Sequence, residues 1–258
     1  MVNPNIIIVT QARIGSTRFP GKVLKALGEG TMLSTHLNRL KMSKRASNII
    51  VATTFEVGVE AIVNIANQLN IEVYQGSTTD VLDRFYQAVY SSNPDYVVRV
   101  TSDCPLIDAA LIDEVIQMVI SKQLDYGSNM LIEEYPDGQD VEVFTFKALE
   151  QAWKEATLES EREHVTPYIR NNASYNGGSF FKSDNYEAPF NYNHVRMTVD
   201  EPADLATIEE IIKREGTEND WLTYTNFILN NSAKLNNQQI TRNEGYLKSL
   251  KKESNGQS

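Results

Sequence analysis

Ile6-Ile-Ile-Val-Thr-Gln-Ala-Arg-Ile-Gly-Ser-Thr-Arg-Phe-Pro-Gly-Lys-Val-Leu24 decides the fold. An unbroken apolar run, Ile6 to Val9, reads as a strand buried on both faces. It opens directly into a loop with three cations (Arg13, Arg18 and Lys22), two glycines (Gly15 and Gly21) and the hydroxyls of Ser16 and Thr17. Glycine lets backbone approach a ligand or adopt φ > 0. Successive N–H groups in such a turn form an anion-binding nest, and forked guanidinium donors suit phosphate oxygens. In open α/β sheets ligands bind beyond the carboxyl ends of strands, so the loop is expected to hold phosphates. A solvated loop with incidental cations is the bland reading of the same residues. The loop is neither a Walker P-loop nor a Gly-x-Gly-x-x-Gly dinucleotide fingerprint.

Further strands are expected at Asn48–Thr53, Ile71–Tyr74, Tyr96–Thr101, Asp140–Phe146 and His194–Val199. Between them apolar residues recur at i, i+3, i+4 spacing. The sets are Leu33/Leu37/Leu40, Ile62/Ile65/Ala66/Leu69, Leu82/Phe85/Val89 and Leu111/Val115/Met118. A later helix is expected from Pro202, with Leu205, Ile208, Ile211 and Ile212 inward. This alternation implies an α/β fold, a Rossmann-like, doubly wound, mostly parallel sheet. Residues 125–195, richer in Gly and Pro, are expected to be an inserted α+β lobe on a single domain of residues 1–250. A disordered tail is expected over 251–258.

The net charge of −10 argues against nucleic-acid polymers and anionic membranes as partners. The cationic loop is a local exception, which favours a small anionic ligand. A single cysteine, Cys104, excludes an internal disulfide and suits a reducing compartment. No apolar run reaches the ~18–20 residues of a membrane span and no signal-peptide pattern opens the chain, so a cytoplasmic protein is expected.

Two expected strands end in carboxylates. Asp103 follows Val98-Arg-Val-Thr101, and Asp200 follows Arg196-Met-Thr-Val199. Each can hold a hard cation beside a nucleotide. Each can instead cap a helix, although Asp108 is the better cap downstream of Asp103. Gln75 and the following Gly76-Ser-Thr-Thr-Asp-Val-Leu-Asp-Arg84 offer Gln75, Ser77, Asp80 and Arg84 to a base or ribose, or the stretch merely caps a helix through Thr79 or Asp80. Asp137, Asp140 and Glu142 can meet substrate hydroxyls or solvate a hairpin. His164 can touch substrate or serve structure.

Taken together, Gln11-Ala-Arg-x-Gly-Ser-Thr-Arg-x-Pro-Gly-Lys-x-Leu24 resembles the nucleotide loop of bacterial sugar cytidylyltransferases, above all the spore-coat polysaccharide type. The enzymes that make CMP-ketodeoxyoctonate and CMP-sialic acid resemble it more distantly. The resemblance continues in order through Gly76–Arg84, Val98–Pro105, Gly138–Phe144, Glu163–Tyr168, Thr198–Leu205 and Arg242–Leu250. It implies a nucleotide-diphospho-sugar transferase fold and Mg²⁺-dependent transfer of CMP from CTP to a sugar or sugar acid, in a homodimer. Carried over, Arg13, Arg18 and Lys22 act on the triphosphate. Gln11, Ala12, Gly15, Ser16, Gln75, Ser77, Asp80, Arg84 and Thr101 complete the nucleotide site. Asp103 and Asp200 ligate the metal, and Asp140, Glu142 and His164 face the acceptor. Ser102-Asp-Cys-Pro105 stands where the ketodeoxyoctonate enzymes carry Gly-Asp-Glu-Pro, so the flanking acceptor contacts differ. A metal-dependent glycosyltransferase would show Asp-x-Asp, whereas this chain has Thr101-Ser-Asp103. The same loop would also serve transfer from a different nucleotide, transfer to a non-sugar acceptor, or nucleotide binding without turnover.

Overall fold

The structure, a computed structural model, describes residues 3–235, 237, 240, 242 and 244–256. The first strand, β1 (Ile6–Gln11), leads into the cationic loop. One 3-10 turn (Lys22–Leu24) and a two-stranded ribbon, β2 (Ala26–Leu27) and β3 (Gly30–Thr31), close that loop. There follow α1 (Met32–Leu40), β4 (Asn48–Thr53), α2 (Glu60–Gln68), β5 (Glu72–Gln75), α3 (Val81–Tyr90), β6 (Tyr96–Thr101) and α4 (Ala109–Lys122). The second half holds β7 (Tyr126–Ser128), β8 (Glu142–Thr145), α5 (Phe146–Glu155), α6 (Glu159–His164), α7 (Pro167–Asn171) and β9 (Ser183–Asn185). It ends with α8 (Pro202–Glu215), α9 (Trp221–Asn231) and α10 (Glu244–Gly256).

Seven strands form one sheet in the order β5-β4-β1-β6-β8-β7-β9. The first four run parallel, and β8 pairs antiparallel with both β6 and β7. The unbroken apolar runs are explained by helices on both faces. Ile6, Ile8, Val51, Val98 and Val100 pack with α1, α2, α4, α8 and α9. Ile7, Val9, Ile50, Ala52 and Val97 pack with α3 and α5 on the other side. Each such fully buried Ile or Val stabilises the fold by about 1.5–3 kcal/mol relative to exposure.

Strand order places the site. The chain winds from β1 outward to β4 and β5, then returns to β6 on the other side of β1. The carboxyl ends of β1 and β6 therefore lie at the topological switch point, where open α/β sheets leave a crevice. Gln11 pairs with Thr101 there, so the cationic loop and Asp103 leave the sheet side by side.

Two expectations are corrected. His194–Val199 is not a strand. Its hydrogen bonds divide between two partners, with Asp137 and Met197 on one side and Val199 N–H donating to the Asp103 carbonyl on the other. No single ladder forms, and residues 195–199 are all buried, Arg196 and Thr198 included, so the apolar–polar alternation that suggested a strand marks no solvent face. The crossing is close. A Cβ on Gly138 would lie 2.7 Å from the Met197 carbonyl carbon, and Gly138 has φ 110°. Residues 125–195 supply β7, β8 and β9, which extend the main sheet. The tail expected over 251–258 is helical to Gly256, with residues 257 and 258 outside the described range. Helix α10 lies on α6, where the Glu253 carboxylate accepts from Ser160 N–H and Oγ at 2.5 and 2.9 Å.

Candidate active site

The cationic loop is drawn tight at its base. The Ile14 carbonyl accepts from both Ser16 N–H (2.9 Å) and Gly21 N–H (3.0 Å), leaving Thr17, Arg18 and Pro20 at an exposed tip. Gly21, at φ 65°, turns the chain into the short helix that begins with Lys22. On the far side of the loop Gly15 N–H donates to Glu56 Oε2 at 3.3 Å.

Lys22 is the hub. Its Nζ donates to Asp103 Oδ2 (3.0 Å), Asp200 Oδ1 (2.9 Å) and the Val199 carbonyl (2.8 Å). Burial alone would lower the ammonium's pKa, but the two carboxylates outweigh it and hold the charge in place. Burial likewise pushes the Asp103 carboxyl up. Lys22 and hydrogen bonds from Thr101, Lys22 and Cys104 reverse this and hold it well below the usual carboxylate range. Arg18 Nη2 reaches Asp200 Oδ2 at 2.9 Å. Two cations and two carboxylates from three distant segments thus meet at the carboxyl ends of β1 and β6.

A second layer fixes Asp200. Arg196 Nη2 donates to Asp200 Oδ2 (3.1 Å), while its Nε and Nη2 grip Asp204 at 2.8 and 3.0 Å and its Nη1 grips Asp137 at 2.6 Å. Asp204 Oδ2 also accepts from the N–H groups of Asp200 and Glu201. Asp204 therefore satisfies the start of α8, and Asp200 is left to face Lys22 rather than cap the helix. Asp108, not Asp103, caps α4, accepting from Ala110 N–H at 2.8 Å.

His36 braces the same crevice from α1. A carbonyl can only accept, so Nδ1–H donates to the Cys104 carbonyl (2.9 Å) and Nε2 accepts from the Thr10 hydroxyl (2.9 Å). Burial lowers its pKa from 6.5 to about 4. A folded value below the unfolded one means that stability is fully present above pH 6.5 and is lost as pH falls towards 4. At about 1.4 kcal/mol per pH unit this loss sums to about 3 kcal/mol. His36→Asn keeps the Nδ1-like donor without the titration. In urea unfolding at pH 7 and pH 4.5, the wild type should lose more stability than the variant, and equal losses would refute the assignment.

The remaining expected residues divide. On the α3-facing side of the crevice, Gln11 Oε1 and Arg84 Nε are buried without hydrogen-bond partners. The Arg84 guanidinium, 2% exposed, donates to the Ser77 carbonyl. Burial, with nearby Arg13 adding to it, lowers its pKa to about 10. Such orphaned groups are where a polar ligand is satisfied. Gln75 Nε2 donates to the Thr54 carbonyl, and Thr101 Oγ1 lies 3.4 Å from Cys104 Sγ. Ala12 is buried, its N–H on the Ala52 carbonyl, and Ser16 Oγ accepts weakly from Phe19 N–H at 3.4 Å. Arg13 is exposed.

Four expected contacts are already engaged within the chain. Asp80 caps α3 through Asp83 N–H and receives both Nε and Nη2 of Arg162. Glu142, 1% exposed, accepts from Arg99 (2.6 Å), Tyr126 (2.6 Å) and Thr166 (3.0 Å). These bonds leave Glu142 committed to the core, because a buried carboxylate must be paired. Asp140 pairs with Arg242 Nη2 at 2.5 Å. His164 Nε2 lies 3.1 Å from Ser249 Oγ, with its ring edge-on to Tyr246 of α10. Asp137, Asp140 and Glu142 each meet a separate arginine and do not solvate a hairpin.

Sequence alone gives no role to Arg196, Arg99, Glu56 or Asp204. For the two arginines a signal exists. Each is a lone charge inside an apolar stretch, Val195-Arg-Met and Val98-Arg-Val, so each requires a buried partner. Among the described residues no helix is long and apolar enough to cross a membrane.

Comparison with known proteins gives concordant results. A family model described as cytidylyltransferase matches residues 6–235. An uncharacterized protein of Methanocaldococcus jannaschii is 42% identical over 212 residues, covering 81% of this chain and 83% of that protein. The spore coat polysaccharide biosynthesis protein SpsF of Bacillus subtilis is 31% identical over 222 residues, covering 84% and 90%. The structure of a cytidylyltransferase from Leptospira borgpetersenii superposes with a TM-score of 0.85 at 32% identity, covering 93% of this chain and all of that one.

Proposed function

The chain belongs to the cytidylyltransferase family, and from that premise we propose that it transfers CMP from CTP to a sugar or sugar acid, releasing pyrophosphate, in polysaccharide or glycoconjugate synthesis. The observation that carries this reading is the meeting of Arg18, Lys22, Asp103 and Asp200 at the sheet's switch point. Cations there suit a triphosphate, and two converging carboxylates suit a divalent cation.

The donor set fits Mg²⁺. Among the described residues no group of three or more His, Cys, Asp or Glu side chains could hold a metal. Mg²⁺ bound with nucleotide phosphates, however, commonly uses one or two protein carboxylates. Asp103 Oδ2 and Asp200 Oδ1 already flank one positive charge, the Lys22 ammonium, within 3.0 Å. Asp103 and Asp200 would hold the metal, which supplies neutralisation of charge on the phosphates. The chain's own groups do the rest. Gln11 and Arg84 offer their unpartnered atoms to the base or ribose. Arg13, Arg18 and Lys22 bind and orient the triphosphate. The acceptor oxygen attacks the α-phosphorus in line as the bond to pyrophosphate breaks. Positioning and charge stabilisation suffice for such a transfer.

Pyrophosphate release from CTP, UTP, GTP and ATP, each with a panel of sugars and sugar acids, tests the reading. CTP-selective release supports it. CTP binding with no release across the panel would leave a nucleotide-binding protein in its place. In the same assay Arg18→Ala should lose about 2–4 kcal/mol of barrier lowering while melting normally. Unchanged turnover would remove Arg18 from the site.

A further inference from the structure

We infer that the Lys22 ammonium is the resident occupant of the divalent-cation position, and that the cation enters only with the nucleotide, when Lys22 exchanges its carboxylate partners for phosphate. This rests on reading Asp103 and Asp200 as the cation pair.

The geometry is that of a filled site. An ammonium has three protons. In Lys22 the three meet Asp103 Oδ2, Asp200 Oδ1 and the Val199 carbonyl between 2.8 and 3.0 Å. The Lys22 side chain is 11% exposed, so water has little share in its solvation. The lysine holds one oxygen of each carboxylate, and the second oxygen of Asp200 is held by Arg18 and Arg196. A divalent ion coordinating at about 2.0–2.1 Å and an ammonium about 3 Å from the same oxygens would repel strongly, because burial weakens screening. One cation must leave before the other binds.

The surroundings make lysine the mobile one. Asp103 is pinned through its carbonyl, which accepts from Val199 N–H (2.8 Å) and Thr198 Oγ1 (3.4 Å). Asp200 is pinned by Arg196 and by its own N–H on Asp204. Lys22 stands on a flexible four-carbon stem, while its backbone stays anchored through Lys25 N–H on the Lys22 carbonyl. Only a rotation of the stem is needed to carry Nζ towards phosphates on the Gly15–Arg18 side of the loop. Arg18 follows the same logic, since it also rests on Asp200. Triphosphate brings the negative charge that releases both cations, and the metal replaces them on the carboxylates. Nucleotide-free protein is thereby kept from binding a divalent ion that has no phosphate to act on.

The test uses Mn²⁺ as probe, read by calorimetry and by the EPR signal of free Mn²⁺, on the full chain without acceptor. Wild-type protein should bind Mn²⁺ weakly alone and at least about tenfold more tightly with a non-hydrolysable CTP analogue. Lys22→Met should bind Mn²⁺ alone at least about tenfold more tightly than wild type, while Lys22→Arg, which keeps a cation in place, should not. Tight Mn²⁺ binding by the free wild type, or no gain in a Lys22→Met protein with a native melting profile, would overturn the exchange. Asp103→Asn in the Lys22→Met background separates the two readings. Loss of the gained binding supports both. Binding that persists shows that the carboxylate pair itself was misassigned.

Discussion

Asp103→Asn should reduce pyrophosphate release from CTP by about 10²–10³-fold and leave the fold intact. The size is that of losing one preorganised group at a reacting centre, since in the proposed reading Asp103 would hold the divalent cation that neutralises the phosphates. The site predicts the direction. Asp103 is the carboxylate at the end of β6, its backbone carbonyl is fixed by Val199 and Thr198, and its Oδ2 faces the Lys22 ammonium at 3.0 Å. Asparagine keeps the shape and leaves those backbone bonds alone, so the loss is one of charge. Lys22 still has Asp200 and the Val199 carbonyl, which should keep the melting temperature within a few degrees. Steady-state release with far-ultraviolet dichroism as control decides the matter. Turnover within fivefold of wild type would place the chemistry elsewhere.

Arg196→Met should cost about 3–5 kcal/mol of stability, the usual consequence of breaking a buried ion pair from one side. The Arg196 side chain is 4% exposed and that of Asp204 is 0% exposed. Methionine fills much of the volume but leaves Asp204 and Asp137 without their cation. Asp204 keeps the N–H groups of Asp200 and Glu201, so the lower half of the range is expected. The double variant Arg196→Met/Asp204→Asn should recover part of the loss, because the stranded charge is then gone. Urea unfolding at pH 7 measures both. A single-variant cost under about 1 kcal/mol, or no recovery in the pair, would show that the cluster is not coupled as drawn. Activity should fall as well, since Arg196 holds Asp200 towards Lys22.

What a sequence makes legible follows the range of the interactions. Strands β1, β4 and β6 are readable because burial on both faces leaves an unbroken apolar run. Segment 194–199 alternates apolar and polar residues as a strand does, without being one. Burial there takes in the polar residues Arg196 and Thr198 too, and strand identity depends on which backbones lie alongside, here Asp137 and Asp103. The tail misleads for a similar reason. The polarity of Lys251 and Lys252 conceals that Lys252 and Glu253 meet Glu159 and Ser160, some 93 positions earlier.

Composition and order alone established the α/β class, the cationic loop after the first strand and the two carboxylates after apolar runs, because each is written in adjacent residues. Tertiary structure alone decided how the charges pair. Lys22 meets Asp200 across 178 positions and Asp103 across 81, and no local pattern carries such distances. Glu142, Asp140 and Asp80 looked as available as Asp103 and Asp200, yet they pair separately with Arg99, Arg242 and Arg162, whereas Asp103 and Asp200 share the Lys22 ammonium. Burying a charge demands a partner, and the fold's choice of partners brought Asp103 and Asp200 together on one lysine while it paired Glu142, Asp140 and Asp80 elsewhere.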